Sequence, residues 1–281
     1  MTTLKEQHLR ELVASFDSLI VAFSGGVDSA YLAWVATDVL GSSALCVTAD
    51  SPSYPDRHRQ LALRLARDFR FQHEFVQTRE MERLEYRSNP ANRCYYCKHE
   101  LYSVLSEVAR DRAFATIADG SNADDRGDYR PGRQAAREFG VRSPLDEVGL
   151  TKAEIRELSH RAGLPTWDEP ASACLSSRIP YHSEVTDEKL RMIERAEDAV
   201  RDLGFRVCRV RHHDLPPAPS GRADRLARLE IGRDELRRAF EPETSERLVS
   251  ALKALGYQHV TIDLQGYRTG SLNEGLRLRP V

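Results

Sequence analysis

The apolar residues of roughly the first 165 positions fall into four short runs that do not alternate regularly with polar residues. Segments with the period of a helix, such as 30–40 and 57–69, follow or separate these runs. Strands of a parallel sheet are covered on both faces, so they read as continuous apolar runs joined by helices. The pattern therefore predicts an α/β doubly wound parallel sheet, with strands at 18–23, 44–49, 73–78 and 113–119.

One helix of this region has a clear start and stop. Thr151 and Glu154 have the spacing of a capping box, in which each residue caps a backbone amide near the other. Gly163 and Pro165 follow the last residue of the helical pattern and favour its end. We expect a helix from residue 152 to about residue 162.

The pattern changes after Pro180. A long polar helix comes first, then two apolar stretches around a loop rich in Pro, Ser, Gly and Ala, two helical segments and a last apolar stretch. The stretches lie at 205–211, 225–231 and 257–264, and the loop lies at 215–223. This order is typical of a smaller α+β domain. We therefore expect one domain over 1–180 and a second over 181–281.

Composition and charge narrow the functional classes. The chain has 281 residues, of which 41% are hydrophobic and 30% charged, as in a globular protein. A formal net charge of -2 disfavours a general nucleic-acid binder, which usually carries a basic excess. No stretch reaches the roughly 20 apolar residues that span a bilayer, and the N-terminal segment does not resemble a signal peptide. We expect a cytoplasmic protein whose five cysteines are thiols, nucleophiles or metal ligands.

A glycine-rich turn follows the first predicted strand. Its residues are Ser24, Gly25, Gly26, Val27, Asp28 and Ser29, and a helical pattern starts within it. Two glycines let the backbone approach an anion, and the free amides of a helix start favour negative charge. An ordinary glycine turn capped by Asp28 is the structural alternative. The motif lacks both the Lys of GxxxxGK[ST] and the spacing of GxGxxG.

The SGGVDS segment resembles the PP-loop of the ATP-pyrophosphatases, which include synthetases and tRNA-thiolating enzymes. The resemblance implies that ATP is cleaved between its α- and β-phosphates and that Asp28 helps to hold Mg²⁺. Four further nucleotide-binding residues are expected after later strands, where ligands of open α/β sheets bind. Asp50 follows the second strand, and Asp119, Gly120 and Asn122 follow the fourth. A solvated Asx turn would explain the latter segment equally well from residue types alone.

Three cysteines lie in segments that suggest chemistry. Cys94 and Cys97 form a CxxC pair at the start of a predicted helix, and Cys174 lies in ACLSSR. Thiolates three residues apart on a helix lie on one side and can bind one soft metal ion. A CxxC pair is also compatible with a zinc site, with His99 as a further ligand, or with a redox dithiol. Cys46 and Cys208 fall in apolar strands and are expected in the core.

Seven segments together resemble the LarE family of ATP-dependent sulfur transferases, which build the nickel-pincer nucleotide cofactor. They are SGGVDS, NRCYYCK, DGSNADD with DYRPG, LTKAEIR, ACLSSRIPY, ARLE and DLQGYRTGSLN, in this order. The resemblance implies a small-molecule substrate, pyridinium-3,5-biscarboxylate mononucleotide, whose carboxylates are adenylated and converted to thiocarboxylates. It also implies a homo-oligomer, a hexamer in the family.

Members of this family differ in their source of sulfur. Some sacrifice the sulfur of the cysteine that matches Cys174. Others carry three cysteines, matching Cys94, Cys97 and Cys174, which hold a 4Fe–4S cluster with one iron left to carry an extra sulfide. This chain has all three. The resemblance therefore implies ATP, Mg²⁺ and a 4Fe–4S cluster, with Cys174 as a cluster ligand rather than a sacrificed thiol.

Arginines of the second predicted domain suggest a phosphate site. Arg209 and Arg211 lie on one face of a strand, where two guanidinium groups could bind a phosphate. A solvated face of an edge strand is the alternative from charge alone. The family resemblance favours the substrate phosphate, with Arg178 and Arg268 as further partners. It also suggests that Glu197 and Glu230 hold a divalent ion near the sulfur site.

Other functions remain compatible with parts of the sequence. Some PP-loop tRNA thiolases combine this loop with a three-cysteine cluster, but they usually add zinc ribbons or basic surfaces. An ammonia-using amidating synthetase would share the loop without needing the cysteines. The chain could also be a non-catalytic nucleotide-binding module with a structural zinc. Pyrophosphate release and metal content distinguish these functions.

Overall fold

A computed structural model describes residues 2–127, 130–170, 173–216, 224–268 and 270–275. Contacts between residues divide the chain into two compact units. The first comprises Met1–Tyr86 and Asn92–Ser172, and the second Arg87–Ala91 and Ala173–Val281. The sequence placed residues 173–180 with the first domain, whereas these contacts place them in the second unit. The turn of Cys174 and Arg178 therefore belongs to the second unit.

The helices and strands up to residue 161 follow the predicted alternation. The strands are β1 (Leu19–Ala22), β2 (Ala44–Asp50), β3 (His73–Gln77) and β4 (Thr116–Ala118). The helices are α1 (Thr2–Ala14), α2 (Val27–Leu40), α3 (Asp56–Asp68), the short α4 (Leu84–Arg87), α5 (Arg93–Asp111), α6 (Gly132–Glu138), the short α7 (Pro144–Glu147) and α8 (Lys152–Arg161). All four predicted strands are confirmed within a few residues.

The four strands form one parallel sheet in the order β3-β2-β1-β4. All four residues of β1 are buried, which explains the apolar run without alternation. Leu19 and Val21 pack into a core with α1, α2 and α8, whereas Ile20 and Ala22 pack into a second core with α5 and α6. Successive side chains of a strand point to opposite faces, so β1 contributes to both cores. The predicted doubly wound α/β fold is confirmed.

The second unit contains α9 (Asp187–Asp202), β5 (Cys208–Asp214), β6 (Arg225–Ile231), α10 (Leu236–Ala239), α11 (Pro242–Ala254) and β7 (His259–Ile262). Its sheet has the order β5-β6-β7, antiparallel between β5 and β6 and parallel between β6 and β7. Apolar residues of α9 and α11 pack on this sheet around Val210, Leu229 and Tyr257. This unit confirms the predicted smaller α+β fold. Most of the predicted loop at 215–223 lies outside the described residues.

The segment Arg87–Ala91 joins the second unit through Asn89, which is fully buried. Its side-chain amide donates to the carbonyls of Ile179, Pro180 and Ser183 at 3.3, 2.7 and 3.1 Å. Asn89 has a φ of +54°, a conformation that asparagine tolerates better than most residues. Within the described ranges, no helix has the length and apolar character needed to cross a membrane.

Candidate active site

The glycine-rich turn leads from the end of β1 into α2. Gly25 has a φ of +73°, where any side chain would be strained. Gly26 is extended at the start of α2, and its carbonyl accepts the amide of Ala30 at 2.9 Å. The amides of the first helical turn then lie at the positive end of the helix dipole. The turn has the strand–turn–helix setting of an anion-binding site.

Two hydroxyl groups hold this turn closed. The Oγ atoms of Ser24 and Ser29 lie 3.1 Å apart, and Ser29 Oγ also donates to the carbonyl of Gly26 at 3.1 Å. From the loop after β2, the hydroxyl of Tyr54 donates to the carbonyl of Ser24 at 3.0 Å. These contacts fix the backbone of the turn, so its amides do not have to be ordered when an anion binds.

The loop after β4 packs directly against the first turn of α2. A Cβ atom built on Gly120 would lie 2.9 Å from the backbone nitrogen of Ser29, closer than real Cβ atoms approach. The buried Asp119 accepts four hydrogen bonds, from Tyr102 Oη, Ser121 N, Ser121 Oγ and Ser143 Oγ at 2.8–3.1 Å. Its carboxylate is therefore occupied in shaping the loop. Its predicted contact with ATP stays a prediction.

Asp28, in the first turn of α2, forms an ion pair with Lys152. The side-chain amide of Asn122 donates to its other oxygen at 3.4 Å. Burial raises the pKa of Asp28, and the charge of Lys152 opposes this shift. Lys152 belongs to the LTKAEIR segment, and no role for this lysine was predicted from the sequence. Lys152 therefore reaches Asp28 beside the glycine-rich turn from a helix that begins more than a hundred residues later.

The start of α8 sets the position of Lys152. The predicted capping box is present: Thr151 Oγ1 accepts the amide of Glu154, and Glu154 accepts the amide of Thr151 at 2.9 Å. The amide of Lys152 donates to Asp124 Oδ2 at 2.9 Å, which ties α8 to the loop after β4. Lys5 of α1 binds Glu154 at 2.7 Å from the other side. The capping box and the contact with Asp124 therefore fix the helix start from which Lys152 extends.

Asp50 ends β2 and binds groups of its own unit. Its carboxylate forms an ion pair with Arg59 of α3 and accepts the side-chain amide of Gln77 at 2.8 Å. Both partners lie near the carboxyl end of the sheet, so an incoming ligand would have to share them. The predicted role of Asp50 in binding ATP stays a prediction.

The five cysteines divide into two environments. Cys46 and Cys208 are buried, and burial raises the pKa of their thiols to about 12 and about 11. They are core residues, as the sequence predicted. Cys94 is exposed and Cys97 partly exposed in the first two turns of α5, and Cys174 is partly exposed in the second unit. The accessible thiols are those for which the sequence predicts sulfur chemistry.

Cys174 begins a short 3₁₀ turn, Leu175–Arg178. Arg178 is 1% exposed, and its guanidinium faces back toward the start of this turn. Its Nε and Nη2 atoms bind both oxygens of Glu197 at 2.7 and 3.0 Å, a two-point contact. Arg178 and neighbouring arginines hold the pKa of the buried Glu197 carboxyl at about 2, although burial alone would raise it. Glu197 is therefore a buried carboxylate matched by arginines.

Arg209 and Arg211 lie on the same face of β5 and are 8% and 6% exposed. Their burial excludes the solvated-face alternative. Arg209 lies over the ring of Tyr267 at 5.2 Å, and burial and the charge of Arg178 lower its pKa. Arg211 binds Glu230 at 2.7 Å, while its buried Nε has no hydrogen-bond partner among the described residues. Buried guanidinium groups that repel one another favour a bound anion.

The chain is similar over nearly its full length to two known proteins. It is 42% identical to an uncharacterized protein of Synechocystis sp., covering 98% of this chain and 99% of that protein. It is 33% identical to the pyridinium-3,5-bisthiocarboxylic acid mononucleotide synthase of Lactiplantibacillus plantarum, covering 98% and 97%. The chain belongs to the LarE family. No protein-family model matches this LarE-family chain.

A third, weaker likeness concerns the PP-loop fold of the LarE-family chain. It is 26% identical to the glutamine-hydrolyzing GMP synthase of Synechococcus sp., covering 71% of this chain and 42% of that protein. This likeness agrees with the parallel sheet and the SGGVDS turn described above.

The described residues include most of the segments that resemble the LarE family. Asp128, Tyr129 and Thr269, which fall in DYRPG and GYRTG, lie outside them. Among the residues that are described, no three His, Cys, Asp or Glu side chains converge as a metal site. The first unit brings Asp28, Asn122 and Gly120 to the glycine-rich turn. The second brings Arg178 and Arg211 to the turn of Cys174.

Proposed function

We propose that this LarE-family chain is an ATP-dependent sulfur transferase that acts on pyridinium-3,5-biscarboxylic acid mononucleotide. Each carboxylate attacks the α-phosphate of ATP, pyrophosphate leaves, and sulfur then displaces AMP to give a thiocarboxylate. The observation that carries this proposal is the near full-length likeness to the Lactiplantibacillus plantarum synthase. The intact glycine-rich turn in its strand–turn–helix setting supports it.

The adenylation step is assigned to the first unit. The amides of Gly25, Gly26 and the first turn of α2 would bind the pyrophosphate portion of ATP. Asp28 would hold Mg²⁺, which supplies positive charge to the leaving pyrophosphate. Lys152 would then turn from Asp28 to a phosphate oxygen. The present ion pair places the ammonium group beside the turn and supports this role.

The source of sulfur is the finer part of the proposal. Cys94, Cys97 and Cys174 are proposed to hold a 4Fe–4S cluster, because each thiol is accessible while Cys46 and Cys208 are buried. Two thiols in adjacent turns of α5 fit a pair of ligands to one centre. When bound, the cluster supplies an iron that can carry the transferable sulfide. Sacrifice of the sulfur of Cys174 is the competing route.

The substrate phosphate is proposed to bind in the second unit. Arg209 and the Nε group of Arg211 are buried beside each other on β5, which suits a phosphate dianion. Arg268 is proposed to assist them. Arg178 already binds Glu197 and the carbonyls of Ala173 and Cys174. We therefore propose that contact with the substrate is a smaller part of its role than these contacts within the protein. Assembly into a homo-oligomer also stays a prediction.

The test is anaerobic reconstitution with iron and sulfide, followed by incubation with ATP and the biscarboxylate nucleotide. Mass spectrometry of the small molecules and of the protein then reports both steps. A thiocarboxylate product, AMP release and an unchanged Cys174 would support the cluster route. Conversion of Cys174 to dehydroalanine would support the sacrificial route. Absence of AMP with this substrate, in protein that binds ATP, would refute the proposed function, and D28N serves as the inactive control.

A further inference from the structure

Two arginines hold the backbone of the turn that carries Cys174. Nη1 of Arg178 donates to the carbonyls of Ala173 and Cys174 at 2.6 and 2.9 Å. From β5, Nη1 of Arg211 donates to the carbonyl of Ser177 at 2.6 Å. The two contacts hold opposite ends of the turn, and both come from buried, charged side chains. Charge-assisted hydrogen bonds of this kind are roughly twice as strong as neutral ones.

Glu197 of α9 holds the first arginine. Its Oε1 accepts Arg178 Nε at 2.7 Å and the amide of Val210 at 3.2 Å. Its Oε2 accepts Arg178 Nη2 at 3.0 Å and Arg201 Nη2 at 2.8 Å. The carboxylate is 1% exposed and receives four donors. A divalent cation could reach it only by displacing these donors.

Glu230 of β6 holds the second arginine in the same way. It is fully buried, and its Oε2 accepts Arg211 Nη2 at 2.7 Å. Its Oε1 receives Arg228 at 3.2 Å, and Ser271 Oγ lies 3.1 and 3.2 Å from the two oxygens. Arg228 also pairs with Asp263. Both carboxylates that the sequence analysis assigned to a divalent ion are therefore matched by arginines.

The geometry points to a positioning role: Glu197–Arg178 and Glu230–Arg211 are two clamps that fix the Cys174 turn. Each clamp runs from a buried carboxylate through a guanidinium to a backbone carbonyl of the turn. The value of a fixed Cys174 rests on the proposed function, because a cluster ligand and a sulfur donor must both be held accurately. The clamps themselves are independent of it. The carboxylates act on Cys174 through the arginines and not as metal ligands.

The test measures how readily Cys174 reacts with iodoacetamide in the full chain, stripped of iron and kept reduced. Peptide mass spectrometry follows each cysteine separately, so no enzyme turnover is needed. In R178K the amine can no longer bridge the carboxylate and both carbonyls. We expect Cys174 to be alkylated about tenfold faster, since a buried charged hydrogen bond is lost at the turn. R211K should act in the same direction at the other end.

The chain offers two matched controls. Cys208 is 1% exposed in the same unit, so its protection reports that the unit stays folded. R201Q removes a donor from Glu197 but none from the turn, and should leave the alkylation of Cys174 unchanged. A loss of fold would expose both cysteines, whereas release of the turn exposes Cys174 alone.

The outcomes test the clamps directly, and they do not depend on whether the proposed function is correct. Faster alkylation of Cys174 in R178K and R211K, with Cys208 protected and R201Q unchanged, supports them. Alkylation at the parent rate in both lysine variants, with Cys208 protected, overturns them. If R178K exposes Cys208, E197Q decides by the same criteria, because it keeps the arginine and removes only the charge that orients it. Mn²⁺ titration of the parent chain should show no binding that E197Q or E230Q abolishes.

Discussion

Replacement of Lys152 by methionine removes the cation that pairs with Asp28 while keeping the length of the side chain. The two side chains are 33% and 22% exposed, so solvent screens part of their attraction. Breaking a fully buried pair costs roughly 3–5 kcal/mol. For this partly exposed pair we expect a loss of about 1–2 kcal/mol in the free energy of unfolding. The effect on ATP should be larger, because the same ammonium group is proposed to bind phosphate.

A hydrogen bond to a charged group contributes about 1.5–3 kcal/mol. Loss of the contact between Lys152 and a phosphate oxygen should therefore lower kcat/KM for ATP by roughly 10- to 100-fold. The pH dependence has a definite sign. Burial raises the pKa of Asp28 and Lys152 opposes the shift, so K152M should raise it further. Asp28 must be ionised to hold a cation, so the acidic limb of the rate profile should move to higher pH.

Lys5→Met is the matched control for this experiment. Lys5 binds Glu154 on the same helix, with side-chain exposures of 30% and 19%, but does not contact Asp28. It should cost similar stability and leave kcat/KM for ATP unchanged. Chemical denaturation measures the first quantity, and pyrophosphate release with the biscarboxylate substrate measures the second. If K152M matched K5M in both, with an unmoved acidic limb, Lys152 would be a structural ion-pair partner and no more.

Three further predictions follow from single contacts. G120A places a Cβ against the backbone nitrogen of Ser29, so the loop must shift; we expect about 1–3 kcal/mol of destabilisation and at least a tenfold higher KM for ATP. His212 is buried and its pKa is lowered from 6.5, chiefly by burial. The neutral side chain contributes fully to the free energy of unfolding above about pH 6.5, and this contribution is lost as the pH falls. The free energies of unfolding from urea denaturation at about pH 5.5 and 7.5 should therefore differ less in H212Q than in the parent chain. T151A removes the capping box with Glu154 and should cost about 1 kcal/mol, which T151S should largely restore.

Much of the fold could be predicted because each local pattern agrees with the structure. The strands of the first unit are apolar without alternation, since β1 contributes to two cores at once. The two residues of the capping box were enough to predict where α8 begins. The role of residues 87–91 in the second unit had no such signal. The side chain of Asn89 joins that unit through three hydrogen bonds to residues about ninety positions later, and such long-range pairing leaves no local pattern.

In the candidate site, too, features with a local sequence pattern could be predicted and long-range contacts could not. The glycine-rich turn and the loop after β4 were predicted from the sequence, because each follows a strand and the carboxyl ends of parallel strands share one edge. Lys152 was missed, although it stands in a segment typical of the family. A lysine at a helix start is usually solvated, and only the fold brings its ammonium group to Asp28. The predicted contact of Asp119 with ATP stays a prediction, whereas its four hydrogen bonds within the protein, which shape the loop after β4, had no signal in the sequence.

Residue type alone cannot decide what a buried carboxylate binds. Burial penalises the charge of Glu197 and Glu230, and either a metal ion or a guanidinium can offset that penalty. The choice depends on register: in the β5–β6 ladder, Glu230 lies opposite Arg209 but binds Arg211, two residues along. This diagonal contact leaves Arg209 over Tyr267 and directs Arg211 to the turn of Cys174. The same carboxylates that resemble metal ligands in sequence thereby become the supports of the sulfur-bearing turn.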